Sequence, residues 1–213
     1  MDKSTAAAAV FDKLADVYQS KYMDVSLYAD SLDLFCRQAK ADAQVLELAC
    51  GPGNITQYLL NKRPDLKILG TDLAPNMIAL ARANNASAQF EIMDCRQINR
   101  IQKQYDALMC GFCLPYLSKE EALQLIVDAA TIVRPGGIFY LSTMEDDYAK
   151  SGIEFSSSGD SMFMHYHESG YLKQALGDNG FEIIDCQRIS YEHHNKPTTD
   201  LILVASKSAP KNI

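Results

Sequence analysis

The chain has 213 residues, 47% of them hydrophobic and 22% charged, with a formal net charge of −7 and a pI near 5.1. That is enough apolar material for one sizeable core and too little chain for two comfortable ones, so a single domain spanning residues 1–213 is expected. The acidic balance argues against nucleic acid as a partner; no apolar run approaches a bilayer span, and the Ala-rich start (4–10) lacks the cationic flank of a secretion signal, so a cytoplasmic protein without membrane contacts is expected.

Residues 11–40 read as a helical cap, with Phe11, Leu14, Ala15, Tyr18 and Tyr22 at three- and four-residue steps, followed by Leu27, Leu32, Leu34 and Phe35. Residues 44–49 form a short apolar strand that ends in the turn Gly51-Pro52-Gly53, and Asn54 to Lys62 continues as helix until Pro64. The pattern then repeats. Lys67 to Thr71 is a strand, Pro75 suits the first position of a helix running to Ala83, and Gln89 to Met93 is a third strand. Tyr105 to Cys110 is a fourth. Ser118 and Glu121 make a capping box for a helix to Val133, Arg134-Pro-Gly-Gly137 breaks it, and Ile138 to Ser142 is a fifth strand.

Such alternation predicts an α/β, doubly wound, mostly parallel sheet whose ligands bind beyond the carboxyl ends of the strands. The core for that site is residues 41–143, and 144–170 is an insertion on its substrate side. Residues 171–206 differ: a helix from Tyr171 to Gly180 precedes two strands, Phe181 to Tyr191 and Thr199 to Ser206, joined by a short loop at 193–197. Two successive strands without a helix form an antiparallel pair at the sheet edge.

Six cysteines sit mostly in apolar runs, where free thiols behave as small hydrophobes, and no disulfides are expected. Cys110 and Cys113 have the spacing of a redox or zinc pair but lack a second pair, and no metal is assigned.

Three acidic residues, Glu47, Asp72 and Asp94, fall at or just after the ends of the first three strands, where carboxylates meet the ligand crevice. The glycine turn alone is a weak signal. Asp72 follows it by about 20 residues, the place from which a carboxylate accepts hydrogen bonds from both hydroxyls of an adenosine ribose. Asp94 suits the exocyclic amine of adenine, with the Cys95 backbone addressing the ring. Glu47 discriminates between ligands: just before the turn, its charge would repel a pyrophosphate and favour an ammonium or a sulfonium. A nicotinamide-dependent oxidoreductase also needs a strand, glycine turn, helix and distal acid, but it predicts a third glycine where this chain has Thr56.

The segments ELACGPGN (47–54), GTDLAPNMIALAR (70–82), MDCRQI (93–98), YDALMCGFCLPYL (105–117) and RPGGIFYLS (134–142) resemble the successive motifs of class I, Rossmann-like S-adenosylmethionine-dependent methyltransferases of the small-molecule type. The resemblance implies a seven-stranded sheet with an antiparallel last strand, helices on both faces and an N-terminal helical cap. It implies that S-adenosylmethionine is the cofactor, with Glu47, Ala49, Gly51 and Gly53 on its methionine side. Asp72 and Leu73 would hold the ribose, Asp94 and Cys95 the adenine, and Gly111 and Phe112 the region beneath the sulfonium, with Met77 also among the cofactor-binding residues. Ala49 stands where the family usually has glycine.

The sulfonium is an activated methyl donor, so alignment of an acceptor and exclusion of water are the enzyme's main tasks and a base is optional. The acceptor itself is not readable, nor is the oligomeric state; a small molecule is expected. Tyr18 and Tyr22 could close over the cofactor as the family's N-terminal aromatics do, or pack in the core. A short strand over 163–167 would put His165 and His167 on one face, either as proton acceptors or as ordinary hydrogen-bonding histidines. Tyr116 faces the acceptor side on the motif alignment. Leu114-Pro-Tyr116 resembles the Pro-Pro-Tyr element of amino-methylating nucleic-acid enzymes, but Cys113 replaces their Asp or Asn and nothing there positions an exocyclic amine. His193 and His194 are expected in a loop remote from the crevice, and Met144 to Asp147 as a solvated loop start. A non-catalytic module that binds the same cofactor shares every donor-side feature.

Overall fold

The structure, a computed structural model, describes residues 2–155, 159–193 and 196–209. The segment that carries His194 and its side-chain neighbours His193 and Lys196 therefore lies outside what is described of the side chains.

Among the described residues, nine strands and seven α-helices follow the expected alternation. The N-terminal part holds α1 (Lys3–Lys13), α2 (Ala15–Tyr22), a 3₁₀ turn (Ser26–Tyr28) and α3 (Ala29–Gln38). The repeating part runs β1 (Gln44–Leu48), α4 (Asn54–Lys62), β2 (Lys67–Asp72), α5 (Pro75–Asn84), β3 (Gln89–Ile92), β4 (Tyr105–Cys110), α6 (Lys119–Ile132) and β5 (Val133–Met144). A small hairpin, β6 (Gly152–Phe155) and β7 (Ser161–Met164), precedes α7 (Ser169–Asp178), β8 (Phe181–His193) and β9 (Lys196–Lys207).

Seven strands form one sheet in the order β3-β2-β1-β4-β5-β9-β8, with β6 and β7 paired separately. Strands β1 to β5 are parallel, and β9 runs antiparallel to both β5 and β8. The chain leaves β1 for β2 on one side and returns to β4 on the other, which opens a crevice between β1 and β4. Both sheet faces are covered, so the central strands are apolar on both sides. Leu46, Leu48, Leu108, Phe139 and Leu203 pack under α6 and α7; Val45, Met109, Tyr140, Ile202 and Val204 pack under α3 and α4.

The helical cap starts at Lys3 rather than at residue 11. Asp2 caps α1 by accepting from the Thr5 N–H at 2.8 Å, and the alanine run that follows has high helix propensity and lets the helix approach closely, leaving Ala7 fully buried. The cap is also three helices and a turn rather than two segments. The Ser118–Glu121 capping box on α6 is present in both directions.

Arg134 to Gly137 does not lie between a helix and a strand as expected; it is a bulge inside β5, where Tyr105 pairs Val133 and Ala107 pairs Ile138. Arg134 is held there by Asp106 at 2.7 Å, and Gly136 takes a left-handed φ of +76°. The expected strand over 163–167 ends at Met164, because His165 and His167 send their N–H groups to Pro115 and Met144 carbonyls instead of a ladder. Among the described residues, no helix is long and apolar enough to cross a membrane.

Candidate functional site

The crevice is built where β1, β2, β3 and β4 end. After β1 the backbone turns through left-handed conformations at Ala49 (φ +51°), Gly51 (φ +53°) and Gly53 (φ +79°). Glycine takes such a φ freely, whereas alanine at position 49 carries a local cost of about 1 kcal/mol. Gly53 is also sterically fixed, since a Cβ there would lie 2.3 Å from Asn85 Nδ2. Phe112, after β4, is likewise left-handed (φ +55°), and its N–H donates to Ser142 Oγ at 2.9 Å.

Asp72 ties the turn to the second strand. Its Oδ2 accepts from the Gly51 N–H at 2.9 Å and its Oδ1 from the Ala74 N–H at 2.8 Å, so each oxygen keeps a lone pair for a ligand. Burial pushes its carboxyl above the usual range, and the backbone donors Ala74, Gly51 and Leu73 oppose that rise.

Asp94 is engaged differently. Arg96 meets it with Nε and a terminal nitrogen, the latter at 2.7 Å, while the Arg96 N–H caps Oδ1 at 2.9 Å. Burial pushes Asp94 up, but the Arg96 contacts outweigh it and the carboxyl titrates below its ordinary value. Arg96 also reaches Asp2 and Glu121, at 3.2 and 3.0 Å, and so fastens the start of α1 to the crevice rim.

Glu47 does not line the crevice. Its carboxyl is buried beneath the turn and accepts a short hydrogen bond from Thr56 Oγ1. Burial pushes it up to about 7, against the Thr56 hydrogen bonds and with help from the Asp72 charge. Gly53 also stands behind the lining, in the entry to α4.

The other expected donor-side residues, Ala49, Gly51, Leu73, Met77, Cys95, Gly111 and Phe112, face one cavity with Asp72 and Asp94. Among the described residues, every charged one lining it is acidic. Tyr18 lines it as well, and the Tyr22 ring packs at a tilt against Tyr18, centroids 4.6 Å apart, without lining the cavity.

Sequence reading missed the cover. Ser4, Ala7, Ala8 and Phe11 of α1 close the crevice from above. Phe11 packs edge-on against Tyr18 (5.6 Å) and Tyr116 (4.9 Å), and Ser4 Oγ donates to the Tyr116 carbonyl at 2.7 Å. The alanine run was the available signal, but nothing local said which surface it would meet.

Tyr116 lines the crevice; His165 and His167 do not. Both histidines are buried. His167 Nε2 pairs with the Leu114 carbonyl at 2.8 Å and Nδ1 with Tyr171 Oη, so both ring nitrogens are used in pinning the insertion to the loop after β4. Burial depresses it to about 4. His165 Nδ1 pairs with Tyr148 Oη at 3.2 Å, and burial lowers its pKa too. Met144 belongs to β5, and Glu145 is paired with Arg188 rather than left to solvent.

Cys95 and Cys113 line the cavity with their sulfurs 3.3 Å apart, and all six cysteines are free thiols. Among the described residues, no group of three or more His, Cys, Asp or Glu is arranged to hold a metal ion.

Residues 45–137 match the model of a methyltransferase domain family. A trans-aconitate 2-methyltransferase of Variovorax paradoxus is 34% identical over 96 residues, which are 45% of this chain and 36% of that protein. A malonyl-[acyl-carrier protein] O-methyltransferase of Paenibacillus is 25% identical over 202 residues, 86% of this chain and 70% of the relative. The chain thus spans only about a third of the first of these relatives. Among solved structures, magnesium protoporphyrin IX methyltransferase from Synechocystis with bound SAH superposes with a TM-score of 0.74 at 18% identity, covering 97% of this chain and all of that one.

Proposed function

We propose, from the match of residues 45–137 to a methyltransferase domain family, that this chain is a class I, Rossmann-like enzyme that transfers a methyl group from S-adenosylmethionine to a small-molecule acceptor. The observation that carries the reading is Asp72, bound by both oxygens to the turn and the following helix and still facing a cavity whose charges are all acidic. The donor set fits the cofactor. Two carboxylates, apolar flanks from Leu73, Met77 and Phe112, and the absence of lining cations suit hydroxyls, a planar ring and positive charge, and they repel phosphate.

When bound, S-adenosylmethionine supplies an activated methyl group on a sulfonium. Asp72 holds the ribose hydroxyls, and Asp94 with the backbone of Cys95 the adenine. The turn at 49–53 provides close backbone approach on the methionine side, and Glu47 supports it from beneath through Thr56. Phe11, Tyr18 and Tyr116 exclude water. Tyr116 is the lining residue on the acceptor side. His165 and His167 support that side by holding the insertion in place. The relatives named above act on trans-aconitate and on malonyl-[acyl-carrier protein], which supports a small or carrier-borne acceptor here.

Calorimetric titration with S-adenosylmethionine and, separately, S-adenosylhomocysteine tests the proposal. Micromolar binding of both is expected, with no binding of NADH. Folded protein that binds neither would remove the proposal.

A further inference from the structure

In sequence Cys110 and Cys113 have the spacing of a redox pair, but in the structure Cys113 meets a different thiol. Cys113 follows the left-handed Phe112 in the loop after β4, and its sulfur lies 3.3 Å from that of Cys95, the residue after Asp94. Cys110 hydrogen-bonds Cys113 as well, but it is fully buried in β4 and does not line the cavity. Cys95 and Cys113 both do.

Two thiols in contact in a cavity wall differ from thiols packed in a core. A small reagent that enters the cavity meets both, and the second thiol is already placed to attack the bond that the first one forms. At 3.3 Å the sulfurs need only a small shift to bond to each other. Cys95 opens the 3₁₀ segment Cys95–Arg100, which Asp94 caps, and Cys113 precedes the 3₁₀ turn Leu114–Tyr116. A bond between them ties the wall that carries Asp94 to the wall that carries Tyr116 and fixes the width of the cavity at its proposed adenine end.

The contact with Cys113 and burial hold the Cys95 thiol well above its ordinary range, and Cys110 and burial raise Cys113 against the Cys95 contact. Both are therefore protonated thiols that attack an oxidant slowly, and the closeness of the sulfurs sets the position of equilibrium rather than the rate.

We propose that Cys95 and Cys113 form a reversible thiol–disulfide switch in the wall of the cofactor cavity, closed by a small disulfide oxidant and opposed by bound cofactor. It rests on the donor-site reading for the cofactor's part, whereas the bond itself depends only on the two thiols. One cysteine, after losing its proton to solvent, attacks the S–S bond of the oxidant; a mixed disulfide forms, and the thiolate released takes up a proton. The other cysteine loses its proton and attacks the protein sulfur of that mixed disulfide, which releases the second small thiol. The protein gives up two electrons and two protons, and the oxidant is reduced to two thiols. By linkage the two effects are equal in size: the factor by which closure weakens the cofactor is the factor by which cofactor, saturating both forms, shifts the equilibrium toward the dithiol.

The full chain, equilibrated in buffers of bis(2-hydroxyethyl) disulfide and 2-mercaptoethanol, quenched in acid and mapped by peptide mass spectrometry, tests this. A Cys95–Cys113 bond is expected, marked by the loss of two hydrogens and reversed by dithiothreitol. Calorimetry should show S-adenosylhomocysteine binding about tenfold or more weaker to the oxidised protein than to the reduced one. Saturating S-adenosylhomocysteine during equilibration should move the buffer ratio at half-oxidation toward the oxidant by the same factor. Cys113→Ser should bind S-adenosylhomocysteine equally in oxidising and reducing buffers. A Cys110–Cys113 bond in its place, no intramolecular bond at any buffer ratio, or a Cys95–Cys113 bond that leaves the affinity unchanged would overturn the proposal. Failure of S-adenosylhomocysteine to bind the reduced protein would instead overturn the donor-site reading, with the Cys95–Cys113 bond still visible in the peptide map.

Discussion

Replacement of Asp72 by asparagine isolates the donor-site argument. The carboxylate accepts from Gly51 and Ala74 and, on the proposed reading, gives its remaining lone pairs to two ribose hydroxyls. Asparagine keeps one oxygen and loses the charge, and a hydrogen bond to a charged group contributes about 1.5–3 kcal/mol. At about 1.4 kcal/mol per decade, the dissociation constant for S-adenosylhomocysteine should rise roughly 10- to 100-fold. The same substitution turns an amide toward either Gly51 or Ala74, so one backbone N–H loses its partner at a cost of about 1–3 kcal/mol and the melting temperature falls by several degrees. Calorimetry on wild type and variant, each with S-adenosylhomocysteine and its 2′-deoxy analogue, separates the two effects. Loss of the hydroxyl should weaken the wild type and barely affect the variant. A variant with wild-type affinity, or an equal loss for the analogue in both proteins, would refute the ribose assignment.

Three further outcomes are expected. Glu47 is raised from 4.5 to about 7 in the fold, so the native state binds its proton more tightly than the unfolded chain. Its stabilising effect is present in full below about pH 4.5 and is lost as pH rises through 7, on the order of 3 kcal/mol; Glu47→Gln should therefore raise the melting temperature at pH 8 and change it little at pH 4.5, and equal shifts at both would refute the cause. His167 is depressed from 6.5 to about 4, so its contribution is present above pH 6.5 and fades as pH falls through 4. His167→Ala leaves the Leu114 carbonyl and Tyr171 hydroxyl unpaired and should cost about 3 kcal/mol at neutral pH in denaturant unfolding; a loss below about 1 kcal/mol would contradict the clamp. Phe11→Ala removes both edge-on ring contacts from the crevice cover and should speed release of S-adenosylhomocysteine about tenfold in stopped-flow fluorescence, with an unchanged rate arguing against a covering role for α1.

Much of the fold was legible because its causes are local or periodic. Apolar runs bounded by glycine and proline located β1 to β5, the capping box at Ser118 is complete within four residues, and two strands in succession at the end of the chain had to pair antiparallel. The acids at strand ends were legible for the same reason: a strand's end and a doubly wound topology together place Asp72 and Asp94 at the crevice without further information.

What the tertiary structure decided was partnership. Sequence could not show that Glu47 would turn away to Thr56, that Arg96 would occupy Asp94 and reach back to Asp2, or that His167 would spend both nitrogens on Leu114 and Tyr171. Nor could it place an alanine run over the crevice, or seat Asp200 beside Tyr28 across an interval of 172 residues with one oxygen left over. The physical reason is common to all of them: which atoms lose water, and which hydrogen bonds replace it, is settled only when distant segments pack, whereas helix, strand and turn are biased already by neighbours in the chain.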